Sequence, residues 1–143
     1  MRITLIALLL LALPLAASAQ NSPIGRWKTI DDDTGKVKSI VEIKQAGNGT
    51  YMGSIVELLN RDGAADPVCD KCAGANKNKP IKGMTILWGL KGKGSAFEGG
   101  TILDPGKGKT YKSKIKVMDG GKKLGVSGCV AFICREQVWV REG

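Results

Sequence analysis

Histidine is absent from this 143-residue chain. Without it there is no Ser-His-Asp or Cys-His nucleophile system, no His-ligated catalytic zinc and no imidazole proton relay. No other catalytic constellation is recognisable, so the chain reads as a binding or interaction protein rather than an enzyme, with no cofactor and no metal. Aromatic residues are also sparse. Trp27, Trp88, Trp139, Tyr51, Tyr111, Phe97 and Phe132 are scattered over different segments, which argues against a base-stacking platform and so against nucleic acid as a partner. Amphipathic helical runs are missing after the N-terminal region, as is any second long apolar stretch, so neither a helix bundle nor a membrane-spanning helix is expected.

What is present is glycine, 20 residues against 5 prolines, spaced at turn-like intervals that favour antiparallel β-structure. The N-terminus differs from the rest. Arg2, the apolar run from Ile3 to Leu15 and the small residues Ala17-Ser18-Ala19 form the pattern of a cleaved export signal, shorter than the roughly 20 residues a membrane span needs. The expected organisation is therefore a signal peptide over 1–19, cut near Ala19, and a single exported domain over 20–143. Export into an oxidising compartment makes disulfides the simplest reading of Cys69, Cys72, Cys129 and Cys134. Three pairings are open; the local ones, Cys69 with Cys72 and Cys129 with Cys134, are favoured if neighbours in sequence are neighbours in space.

Period-2 alternation and turn signals predict about eight strands. They are Arg26 to Ile30, Val37 to Gln45, Tyr51 to Leu59, Met84 to Leu90, Phe97 to Leu103, Thr110 to Met118, Lys123 to Val130 and Gln137 to Arg141. Asn48-Gly49 reads as a two-residue hairpin, and Gly89 to Gly94 as a break between strands. Cys129-Val130-Ala131-Phe132-Ile133-Cys134 reads as a tight, buried turn closed by a disulfide. Residues 60–82 form one long loop pinned by Cys69 and Cys72. Eight short sequential strands joined by hairpins predict an all-β, antiparallel up-and-down barrel.

Charge is concentrated in the middle of the chain. The formal net charge is +9, and between Lys71 and Lys123 there are thirteen lysines and three acids. Asp31-Asp32-Asp33-Thr34-Gly35 lacks the alternating order and distal Glu of a calcium loop, and is expected to be an acidic hairpin tip.

Gly25-Arg26-Trp27 at the start of the first strand resembles the Gly-x-Trp signature of lipocalins and related calycins. That resemblance implies that Trp27 plugs one end of the barrel and that Arg141 stacks over it. A longer ordered series resembles the exported bacterial proteins grouped as domain of unknown function 2147. It comprises Pro23-Ile24-Gly25-Arg26-Trp27-Lys28-Thr29, Cys69-x-x-Cys72, Pro80-Ile81-x-Gly83-Met84-x-Ile86-Leu87, Gly99-Gly100-x-Ile102-Leu103-Asp104-Pro105, Gly108-Lys109-x-Tyr111 and Gln137-x-Trp139-x-Arg141. The resemblance implies a lipocalin-like barrel in the bacterial periplasm or secreted from the cell, with no established reaction.

On this basis the expected function is binding of a small, partly apolar ligand in the barrel mouth. Met84, Trp88 and Tyr111 are the candidate contacts, and the Cys69–Cys72 loop would form a rim. A second reading is an envelope interaction protein whose lysine-rich surface meets anionic glycolipid or a protein partner. A third is a thiol oxidoreductase using Cys69 and Cys72, a spacing that permits a reversible disulfide.

Overall fold

The computed structural model describes residues 21–59 and 66–143. The signal assigned to 1–19 and the beginning of the long loop, 60–65, lie outside the described residues. Eight strands follow one another as β1 (Gly25–Ile30), β2 (Val37–Gln45), β3 (Tyr51–Leu58), β4 (Thr85–Lys93), β5 (Ala96–Asp104), β6 (Lys109–Met118), β7 (Lys123–Val130) and β8 (Ile133–Arg141). Each pairs antiparallel with the next and β8 returns to β1, closing an up-and-down barrel of the expected class. Among the described residues no helix is long and apolar enough to cross a membrane.

Three local expectations need correction. The β2–β3 connection is a five-residue turn, because Gln45 and Tyr51 are the last register partners and Asn48 Oδ1 accepts hydrogen bonds from the N–H and hydroxyl of Thr50. The Asn side chain is thus used in a local turn rather than in a two-residue hairpin. The break expected over Gly89 to Gly94 is narrower: β4 runs on to Lys93, only Gly94 and Ser95 separate it from β5, and Gly89 and Gly99 lie within the strands. Both take positive φ, yet the register holds on either side, Trp88 facing Thr101 and Lys91 facing Glu98, so they kink the paired strands together. Finally, β8 begins at Ile133 rather than Gln137, since Cys129 faces Cys134 and Val130 faces Ile133; the turn between them is exposed, with Phe132 fully in solvent.

Every strand contributes to the interior. Trp27, Val41, Ile43, Ile55, Leu87, Leu90, Phe97, Ile115, Val117, Leu124, Val126 and Trp139 form one buried cluster, the alternate residues of each strand pointing inward as the pleat requires. Polar groups that enter this space are paired. The hydroxyls of Thr29 and Ser39 lie 2.7 Å apart, Ser113 Oγ donates to the Ser127 carbonyl at 2.7 Å, and Trp139 Nε1 donates to Gln137 Oε1 at 2.6 Å. Among the described residues no buried side-chain polar atom is left without a partner, which avoids the desolvation cost of an unmade bond.

One end of the barrel is bolted by Arg141, as the Gly-x-Trp resemblance implied. Its guanidinium lies 4.1 Å from the Trp27 ring centroid. Its nitrogens donate to the carbonyls of Gly121 at 2.6 Å, Ile24 at 2.9 Å and Ser22 at 2.8 Å. One side chain therefore ties together β8, the β6–β7 turn, the segment preceding β1 and the fully buried Trp27, whose Nε1 donates to the Pro23 carbonyl at 2.8 Å. Burial lowers the Arg141 pKa from its ordinary value. Gly25 makes the arrangement sterically feasible. Its φ is +132°, and an added Cβ would stand 2.7 Å from Arg141 Nη1.

Replacing Arg141 by Ala removes three charge-assisted hydrogen bonds and the stacking over Trp27. We expect a loss of about 2–4 kcal/mol in urea unfolding. Arg141→Lys should recover only part of it, because an ammonium cannot present the same planar fork.

Candidate functional site

The long connection between β3 and β4 is built as a strap. From Val68 to Pro80 it folds back on itself through an isolated bridge between those two residues. Cys69 N–H donates to the Lys79 carbonyl and Asn78 N–H to the Cys69 carbonyl, both at 2.8 Å. A 3-10 turn at Gly74–Asn76 forms its tip, and the Lys77 ammonium donates to the Asp70 carbonyl. The strap rejoins the sheet where Gly83 N–H donates to the Ile55 carbonyl at 2.6 Å.

Strand alternation explains why it stays there. Leu87 and Ile102 are register partners on the inner face, so Leu103 points outward, and Ile86 stands at the register shift between Leu87 and Thr85. Both are nevertheless buried, in one cluster with Cys69, Cys72 and Met84. The strap thus covers apolar side chains at the mouth-side ends of β4 and β5. It also crosses the β5–β6 turn closely. A Cβ on Gly108 would come within 2.0 Å of the Lys71 carbonyl oxygen, so only glycine fits beneath it. Cys69 Sγ lies 3.4 Å from the Pro105 carbonyl oxygen.

Two grooves flank the strap's return segment, sharing Pro80, Lys82 and Gly83. The first, about 610 Å³, runs along the outer face of β2 and β3, with Met52, Val56 and Asp66 in its lining. The second, about 570 Å³, is formed by Asn76, Lys79 and Lys82 on one side and Met84, Thr85 and Trp88 on the other. Volumes of this order match those of small-molecule sites. The second groove pairs an indole and a thioether with two ammonium groups. It offers an apolar floor and a cationic edge, and suits an amphipathic anion better than a wholly apolar molecule.

Residues 25–141 match the family of uncharacterized proteins conserved in bacteria, domain of unknown function 2147. The chain belongs to this family. No curated protein matches it. Among solved structures it is similar to protein HP1028 from the human pathogen Helicobacter pylori, described as belonging to the lipocalin family. The TM-score is 0.71 at 20% identity, with 84% of this chain and 82% of that chain covered. The shared feature is the lipocalin-like barrel.

In this family member the three candidate ligand contacts do not converge. Met84 and Trp88 line the outer groove. Tyr111 faces inward beside Ile102 and Gly128: a Cβ on Gly128 would stand 3.6 Å from atoms of both neighbours. Lys79, Lys82 and Asn76, which complete the groove, were not legible as site residues. They lie in the polar loop, and only its return across β4 brings them to Trp88.

Both local disulfides form, Cys69 with Cys72 and Cys129 with Cys134, and among the described residues no cysteine is free. Their surroundings are opposite to what a Cys69–Cys72 redox centre needs. Cys69 is 0% and Cys72 4% exposed, whereas Cys134 is exposed and Cys129 half-buried. Thiol–disulfide exchange requires access to a sulfur. In the folded protein a mild dithiol should therefore reduce Cys129–Cys134 first and leave Cys69–Cys72 intact until denaturant is added. Timed alkylation followed by peptide mass spectrometry distinguishes the two, and early labelling of Cys69 or Cys72 would restore the redox reading.

Proposed function

We propose that this protein is a binding protein of the oxidising bacterial envelope, carrying a small amphipathic anion on its lipocalin-like barrel. The observation that carries this reading is the groove in which Trp88 and Met84 face Lys79 and Lys82 across the strap. An apolar tail lying on Trp88, Met84 and Pro80 would lose water on one side, while a carboxylate, sulfate or phosphate head would meet the two ammonium groups. Family membership, the two disulfides and the leader-like N-terminus support an exported role. The barrel axis favours the outer site over the mouth, because its interior is already occupied by large buried side chains from all eight strands.

The three tryptophans make the proposal measurable. Trp27 and Trp139 are 0% and 2% exposed, so ligand-dependent changes in emission report mainly on Trp88. Titration with a medium-chain alkyl carboxylate should give a saturable shift, and the alcohol of equal chain length a weaker one. Trp88→Leu should abolish the signal and weaken binding measured by calorimetry. Lys79→Gln with Lys82→Gln should cost roughly threefold to tenfold in affinity and flatten the salt dependence, as expected for exposed ion pairs. Equal binding of acid and alcohol, or undiminished calorimetric binding by Trp88→Leu, would overturn this reading.

A further inference from the structure

The β7–β8 hairpin ends in an apolar prong. Phe132 is 102% exposed, Ile133 77% and Val130 64%, and all three meet at a loop of two residues, Ala131 and Phe132. Ala131 has φ +52°, a conformation usually left to glycine or asparagine. The Cys129–Cys134 disulfide closes the hairpin directly behind the loop. The prong is therefore held out from the barrel, and no side chain of the described residues covers Phe132. Contiguous apolar surface of this kind on a basic domain marks an interaction site rather than ordinary exposure.

Its flanks are cationic. Lys112 is the register partner of Cys129, Lys114 of Ser127 and Arg135 of Gly128. Lys107 and Lys109 stand at the same end of the barrel, in and after the β5–β6 turn. All five are exposed, and none makes an ion pair with another described residue. Of the acids at this side, Asp70 in the strap is exposed, and the other two are engaged. Glu136 lies 3.7 Å from Lys116, and Asp104 Oδ1 accepts from the N–H groups of Gly106 and Lys107. The acidic turn at Asp31-Asp32-Asp33 shares this end but follows β1, on the far side of β8, so the β5–β8 side carries the positive face.

We propose that this prong docks the protein on an anionic lipid bilayer, with Phe132 and Ile133 entering the headgroup boundary and Lys107, Lys109, Lys112, Lys114 and Arg135 meeting lipid phosphates. Partitioning of an apolar element with a basic collar follows the same logic as interfacial anchors, which bury roughly 5–10 Å deep. Charge decides between a bilayer and a second copy of the chain. Two prongs packed together would bring the same basic residues face to face in a protein already at +9, whereas an anionic bilayer neutralises them. The prong is separate from the Trp88 groove and does not depend on the ligand proposed there.

Vesicle sedimentation tests it, using exported wild-type protein and variants with the same N-terminus. Vesicles containing phosphatidylglycerol should bind the wild type, and pure phosphatidylcholine vesicles should bind it weakly or not at all. Binding should be lost in about 1 M salt, where the screening length falls to about 3 Å. Phe132→Ser should lower the partition coefficient about tenfold or more, as expected for losing a buried phenyl ring, with an unchanged melting temperature because the ring touches nothing. Phe132→Trp should retain binding and shift its emission to the blue with vesicles, quenched by brominated lipid. Trp88→Leu should bind vesicles as the wild type does. The proposal fails if phosphatidylglycerol vesicles are not bound at low salt, if Phe132→Ser binds them equally, or if Phe132 instead supports a concentration-dependent dimer without vesicle binding.

Discussion

Barrel closure rests on the short seam between β1 and β8. Six junctions are extended ladders and β3–β4 keeps three register pairs across two register shifts, but here only Trp27 faces Arg141 and Lys28 faces Val140. Two backbone pairs are a small fraction of what neighbouring strands share. The deficit is met by side chains: Arg141 over Trp27 and onto three carbonyls, and Arg26 to Glu142 at 2.8 Å. Because Arg141 is planar, charged and partly removed from water, its hydrogen bonds are stronger than neutral ones and have defined directions. A sheet closed in this way has no long free edge at the bolted end, and its interior can be filled with large apolar groups.

Filling the interior has a consequence for function. With Trp27, Leu87, Leu90, Leu124 and Trp139 packed together, the recognition proposed above falls on the outer face and the loop end. The strap covers apolar side chains at the mouth-side ends of β4 and β5 and forms, at its edge, a groove. The loop end bears the Phe132 prong. Both features depend on a disulfide, but in different ways: one is buried and holds a loop against the sheet, while the other is exposed and holds a hairpin away from it.

The charge distribution connects these surfaces. Lysines from the strap, the β5–β6 turn and the outer face of β6 fall close together in the sequence and also on one side of the barrel. Sequential hairpins keep neighbouring segments adjacent in space. The acidic β1–β2 turn is engaged differently. Asp31 accepts the N–H groups of Asp33 and Thr34, and the bonds from Thr34 foremost hold its carboxyl below the usual carboxylate range.

The barrel, the order of its strands and the central basicity were legible in the residues, and the residues at the bolted end were implied by the Gly-x-Trp resemblance. Alternation and turn chemistry are local signals that survive without knowledge of the fold. Two strands, Val37–Gln45 and Lys123–Val130, were legible to the residue, and the local cysteine pairing followed from proximity in the chain. Tertiary structure alone decided which face each residue serves. Trp88 separates from Tyr111 because strand alternation sends one outward and the other inward, and Met84 joins Trp88 from the segment just before β4. Lys79 and Lys82 become groove residues only because the strap crosses β4 to bury Ile86 and Leu103. The span from Cys129 to Cys134, apolar enough to suggest a buried turn, instead projects into solvent: pairing continues out to Val130 and Ile133, beyond the interior that could have covered it.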